Sequence, residues 1–214
     1  MRQRKLGRSD INVSEICLGS MTWGTQNDYT EASAQIDRAW EKGVNFIDTA
    51  ELYPTTPLSA ETQGDTEEII GRYMKERECR NQFVIATKVG GPGITHLRGG
   101  RDVNSASITE ALEGSLKRLH TDYVDLYQLH SPSMEIFEGN DDVRGTLETL
   151  KQEGKIRAYA ISLRSPEDCV AAVERLGFKC IQVNFNLVDQ RALTMGLFGL
   201  CQRENVGIIA RTPL

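Results

Sequence analysis

Ser107–His130 reads SITEALEGSLKRLHTDYVDLYQLH, and its two halves follow different periodicities. In the first half Ile108, Leu112, Leu116 and Leu119 recur at spacings of three and four, the apolar stripe of a helix that buries one face. In the second, Val124-Asp125-Leu126-Tyr127 is a short apolar run suited to a buried strand, and a chemically capable side chain, His130, follows shortly after it. A helix, a buried strand and a reactive residue at the strand end make up the unit from which the rest of the chain reads.

Working outward, the strand pattern recurs at Ile16-Cys17-Leu18, Val44-Asn45-Phe46-Ile47, Phe83-Val84-Ile85-Ala86, Ala158-Tyr159-Ala160-Ile161, Cys180-Ile181-Gln182-Val183 and Gly207-Ile208-Ile209-Ala210. Helical stripes alternate with them, as in Thr30–Glu41 with Ala34, Ile36, Ala39 and Trp40. Repeated β-α alternation predicts an α/β fold with a parallel sheet. Ser165-Pro166-Glu167-Asp168 supplies a serine cap, a proline at the first helical position and acids in the first turn, while Gly154 and Gly177 stand where helices stop. Lys5–Val13 reads as a small hairpin that covers one end of the fold. The least regular stretches, Pro54–Gly64 and Gly90–Asn104, both follow strands and are expected to be loops over a site.

Composition narrows the function classes. The 214 residues are 39% hydrophobic and 26% charged, which excludes collagenous and wholly disordered chains and suits one domain, residues 1–214. A net charge of -5 gives no electrostatic reason to expect nucleic acid or an acidic membrane as partner. No apolar run approaches the roughly 20 residues of a membrane helix, and Met1-Arg2-Gln3-Arg4-Lys5 does not lead into an apolar signal core, so a cytoplasmic location is expected. The five cysteines are odd in number and widely spaced, which reads as reduced thiols, with no clustered metal ligands.

Asp48, Lys88, His130, Ser162, Gln182 and Arg211 each fall in or just beyond one of the apolar runs. Parallel strands bring their C-terminal ends to one face, so these side chains converge although they span most of the chain. Singly, each has a plain reading: Asp48 a loop cap, Lys88 a solvated loop residue, His130 a turn histidine. Taken together with Tyr53, five residues after Asp48, they suit carbonyl chemistry. A phenol is a poor acid unless a neighbouring cation favours its ionised form; Lys88 supplies that cation, Asp48 orients Lys88, and His130 hydrogen-bonds a substrate oxygen.

At these residues the sequence resembles the aldo-keto reductases. The resemblance rests on Asn45–Tyr53, Gly64–Gly71, Ala86–Val89, Ser115–His130 and Gly154–Arg157, in family order over nearly the whole chain. It implies a (β/α)8 TIM barrel with an N-terminal β-hairpin, and NADP(H)-dependent transfer of hydride to the carbonyl carbon of an aldehyde or ketone. The implied catalytic tetrad is Asp48, Tyr53, Lys88 and His130, with tyrosine as general acid. The implied cofactor residues are Thr22, Ser162, Gln182, Arg211, Pro213 and Leu214; Leu163 and Ala160 replace a usual asparagine and glycine, which implies a looser carboxamide grip. Arg211 has a second reading as an exposed rim arginine. Trp23, beside Tyr53 and His130, either lines the substrate pocket or packs its loop.

The units recur about every 32 residues, against ~250 residues for an eight-unit barrel. In agreement, the resemblance implies a chain that ends after strand seven, without strand eight, the last two helices and the segment that grips the adenosine 2′-phosphate. A second reading follows: a catalytically weak, cofactor-binding or structural subunit, as among the family's potassium-channel β subunits, self-associating through the incomplete barrel edge.

Overall fold

The computed structural model describes residues 1–139 and 141–213. The hairpin forms as β1 (Gln3–Lys5) and β2 (Asn12–Ser14), paired antiparallel with Gln3 opposite Ser14. Seven further strands follow: β3 (Cys17–Gly19), β4 (Phe46–Asp48), β5 (Val84–Gly90), β6 (Val124–His130), β7 (Ile156–Leu163), β8 (Cys180–Asn184) and β9 (Gly207–Arg211). They make one sheet in sequence order, every neighbouring pair parallel. The helices between them are α1 (Tyr29–Glu41), α2 (Asp65–Glu76), α3 (Ser105–Arg118), α4 (Val143–Gln152), α5 (Pro166–Glu174), α6 (Arg191–Thr194) and α7 (Leu197–Arg203).

Alternate strand residues face opposite sides, and each side has its own cover. Inside the curl, Phe46, Val84, Leu126, Cys180 and Ile209 meet Leu6, Ile11 and Val13 of the hairpin region, which plug the floor. Gly7 permits this plug: its φ is +57°, and a Cβ there would lie 2.3 Å from the Gly207 nitrogen. Outside, the helices press Ile36, Ile70, Leu112, Leu147 and Leu200 against the sheet. The curled sheet is the expected TIM-barrel architecture carried through seven strands. Among the described residues β3 and β9 are not paired with each other, so a seam separates them.

Two differences from the sequence reading have clear causes. Helix α3 starts ahead of Ser107 because Asn104 is the cap: its side chain accepts from the Ser107 backbone N–H, and the Ser107 hydroxyl accepts from the Asn104 N–H. β5 and β6 run beyond the apolar stretches to Gly90 and His130, since the backbone ladder continues through Lys88 and Gln128. Ser165 and Pro166 open α5 as read, and Gly154 and Gly177 have positive φ at helix ends.

Outside the sheet, Glu67 of α2 is fully buried, accepting from the Thr87 hydroxyl of β5 and from Arg118 of α3, 2.7 Å away. This explains part of the Gly64–Gly71 and Ser115–His130 stretches: they hold α2 and α3 against β5.

Candidate active site

Asp48 ends β4, and the following segment folds back over β5. The Thr49 N–H donates to the Ala86 carbonyl at 2.8 Å and the Glu51 N–H to the Lys88 carbonyl at 3.0 Å. Glu51, 3% exposed, clamps the arrangement by accepting from the Gly90 N–H at 2.6 Å and from Arg98 at 2.8 Å. Tyr53 is thereby set above Lys88.

The Lys88 ammonium is fully buried and donates three ways: to Asp48 Oδ2 at 2.5 Å, to the Thr49 carbonyl at 2.7 Å and to the Tyr53 hydroxyl at 3.3 Å. Burial alone would pull this ammonium down, but Asp48 and Tyr53 outweigh it and hold its pKa above the ordinary lysine value. Asp48 Oδ1 accepts from Gln128 at 2.9 Å and Gln182 at 3.1 Å, so the carboxylate cannot turn away from Lys88. The His130 ring stands edge-on to Tyr53, centroids 6.0 Å apart. Burial, then the charges of Lys88, Arg211 and Arg164, keeps His130 well below the ordinary histidine range, so the imidazole is neutral at neutral pH. Its Nδ1 is buried without a partner among the described residues, and the residue itself lines a cavity.

Backbone register aligns His130 with Ser162 and Ser162 with Gln182 on three adjacent strands. Ser162 donates to Gln182 Oε1 at 3.1 Å, and Arg211 reaches the Ser162 hydroxyl at 3.3 Å and Asn184 Oδ1 at 2.6 Å. Gln182 Oε1 keeps a second lone pair and Gln182 lines the same cavity, so it fits a carboxamide such as that of a nicotinamide, with Ser162 bonded behind it. His130, Gln182 and Arg211 border this cavity of about 1780 Å³. It runs from the hairpin past Asp48, Tyr53, His130 and Gln182 to Arg211, Thr212 and Pro213 at the rim. Both irregular stretches contribute to its mouth, through Thr55 and Leu58 and through Gly91, Pro92 and Ile94.

The structure thus brings Asp48, Tyr53, His130, Gln182, Arg211 and Pro213 to one cavity, with Lys88 and Ser162 buried behind its wall and bonded to Asp48, Tyr53 and Gln182. It does not bring Trp23 there: the indole is fully buried and donates to Gln35 at 2.9 Å. The cavity's apolar wall is formed instead by Met21, Leu52, Leu58 and Ile94. Thr22 turns its hydroxyl to Asn27 Oδ1 at 2.9 Å, and Leu214 lies outside the described residues. Gln128, Glu51 and Arg164 were not singled out by the sequence pattern.

The family model described as "Aldo/keto reductase family" matches residues 15–214. The "Uncharacterized oxidoreductase YqkF" of Bacillus subtilis is 37% identical over 215 residues, covering 100% of this chain and 65% of that protein. "Protein tas" of Escherichia coli is 44% identical over 135 residues, 62% of this chain and 39% of that protein. The chain therefore spans about two thirds or less of the length of these curated relatives. The solved structure of "aldo-keto reductase AKR11C1 from Bacillus halodurans (holo form)" superposes with a TM-score of 0.80 at 35% identity, covering 100% of this chain and 70% of that one. With the family pattern matched over nearly its whole length and the curled parallel sheet shared with a solved member, the chain belongs to the aldo/keto reductase family.

Proposed function

We propose that the chain carries out NADPH-dependent reduction of an aldehyde or ketone, with Tyr53 as general acid. The observation that carries this reading is the Lys88 ammonium, held by Asp48 at 2.5 Å and set 3.3 Å from the Tyr53 hydroxyl. When bound, the reduced nicotinamide nucleotide supplies hydride to the carbonyl carbon. Tyr53 then gives its hydroxyl proton to the carbonyl oxygen, and Lys88 stabilises the negative charge left on the phenol oxygen in a water-poor site. Gln128 and Gln182 fix Asp48, and Asp48 in turn fixes Lys88. Neutral His130 orients the carbonyl oxygen by hydrogen bonding without competing as a charged acid. Ser162 and Gln182 would hold the carboxamide, Arg211 would lie against the ring, and Pro213 would border the pyrophosphate. Unpaired thiols throughout accord with a reducing, cytosolic setting.

Tyr53→Phe should lower NADPH-dependent reduction of 4-nitrobenzaldehyde by at least about 10²-fold, with the thermal midpoint unchanged. Undiminished turnover would sink the assignment. Titration with NADPH, followed by tryptophan fluorescence, tests the cofactor separately. The second reading, a cofactor-binding structural subunit, is supported by the edges of β3 and β9, unpaired among the described residues; it predicts NADPH binding without turnover in the unmodified chain.

A further inference from the structure

The cavity mouth carries positive charge that the described residues do not balance. Arg164, the residue after β7, and Arg211, at the end of β9, both line it. Glu15 and Asp48 are the acidic residues among those lining the cavity. Glu15 is held at the floor by Arg2 and Arg4, and Asp48 by Lys88. Arg211 is anchored through Asn184 and Ser162. Arg164 is exposed and, among the described residues, has no carboxylate within ion-pair distance. The two guanidiniums feel each other: after burial, Arg164 is a cause that opposes the charge on Arg211, and both act on His130. Like charges brought together at a cavity mouth are relieved by an anion, and guanidinium is suited to carboxylate or phosphate oxygens. Met21, Leu52, Leu58 and Ile94, which follow β3, β4 and β5, supply an apolar wall in the same cavity.

Resting on the carbonyl-reductase reading above, we propose that the substrates are carbonyl compounds carrying a carboxylate or phosphate, and that Arg164 reads the anionic group. The carbonyl oxygen lies at Tyr53 and His130, the carbon skeleton along Leu52 and Leu58, and the anionic end meets Arg164. The anchored Arg211 strengthens the same field.

The test compares 4-carboxybenzaldehyde with 4-(hydroxymethyl)benzaldehyde, which differ in charge at nearly constant size. Binding is read by ligand-observed NMR and turnover by NADPH oxidation, both on the whole chain. The carboxylated aldehyde should bind and react at least about tenfold better; Arg164→Gln should erase that ratio and Arg164→Lys restore part of it. Equal handling by the unmodified chain, or a preference that survives Arg164→Gln, overturns the proposal and leaves carbonyl reduction standing. A binding preference that depends on Arg164, with neither aldehyde reduced, supports the anion site and removes the reductase reading. The cofactor's phosphate is the competing source of the anion. If Arg164→Gln weakens nicotinamide mononucleotide relative to nicotinamide riboside and leaves the aldehyde ratio intact, Arg164 serves the cofactor and the substrate assignment falls.

Discussion

His130 is the residue whose environment has the clearest thermodynamic consequence. Burial and three nearby cations oppose its protonation, so the unfolded chain takes up a proton near pH 6.5 that the folded chain refuses. Stability from this group is therefore intact above pH 6.5 and falls as the pH drops below it, by up to about 1.4 kcal/mol per pH unit. Urea unfolding from pH 7 to 5 should show this slope, and His130→Gln should flatten it; an unchanged slope would mean that another group sets the acid limit. Asp48, Lys88 and His130 were legible because each interrupts an otherwise apolar run near the point where a strand meets a loop. Gln128 was not, since it sits between Tyr127 and Leu129 inside such a run, and nothing local shows that it faces the Asp48 carboxylate. Trp23 shows the opposite limit. The turn that buries it depends on the Thr66 hydroxyl, which donates to the Trp23 carbonyl at 2.7 Å across a separation of 43 residues.

Between elements, α2 and α3 meet where no side chain fits. A Cβ on Gly71 would lie 2.2 Å from the Arg118 carbonyl oxygen, beside the buried Glu67–Arg118 pair. Gly71→Ala should therefore push the helices apart and cost about 3 kcal/mol, read as a lower urea midpoint; a loss below about 0.5 kcal/mol would show that the contact relaxes freely. Helix starts and stops were largely readable because capping is local: Ser165, Pro166, Gly154 and Gly177 act within one turn. The helix-to-helix fit was not, since Gly71 and Arg118 are neighbours through packing and carry no periodic signal of it.

Over the whole molecule, the alternation of runs specified the strand order, because short connections between parallel strands leave few arrangements. The edges β3 and β9, unpaired among the described residues, offer backbone donors and acceptors. Light scattering over rising concentration should show self-association, reduced by Ala210→Lys on β9; a monodisperse monomer at all concentrations would count against an edge-mediated contact. Amide exchange should be fastest in β3 and β9 and slowest in β5 and β6, which have strand neighbours on both sides. Mechanically, the described residues form a split ring. Its compliance is concentrated at the cut, while Asp48, Lys88 and His130 ride on β4, β5 and β6, each of which has a strand neighbour on both sides. Spreading the ring would move Arg211 on β9 and spare the Asp48–Lys88 pair. Loads on the seam should thus alter how firmly a ligand is gripped long before they disturb the alignment of the proton-transfer groups.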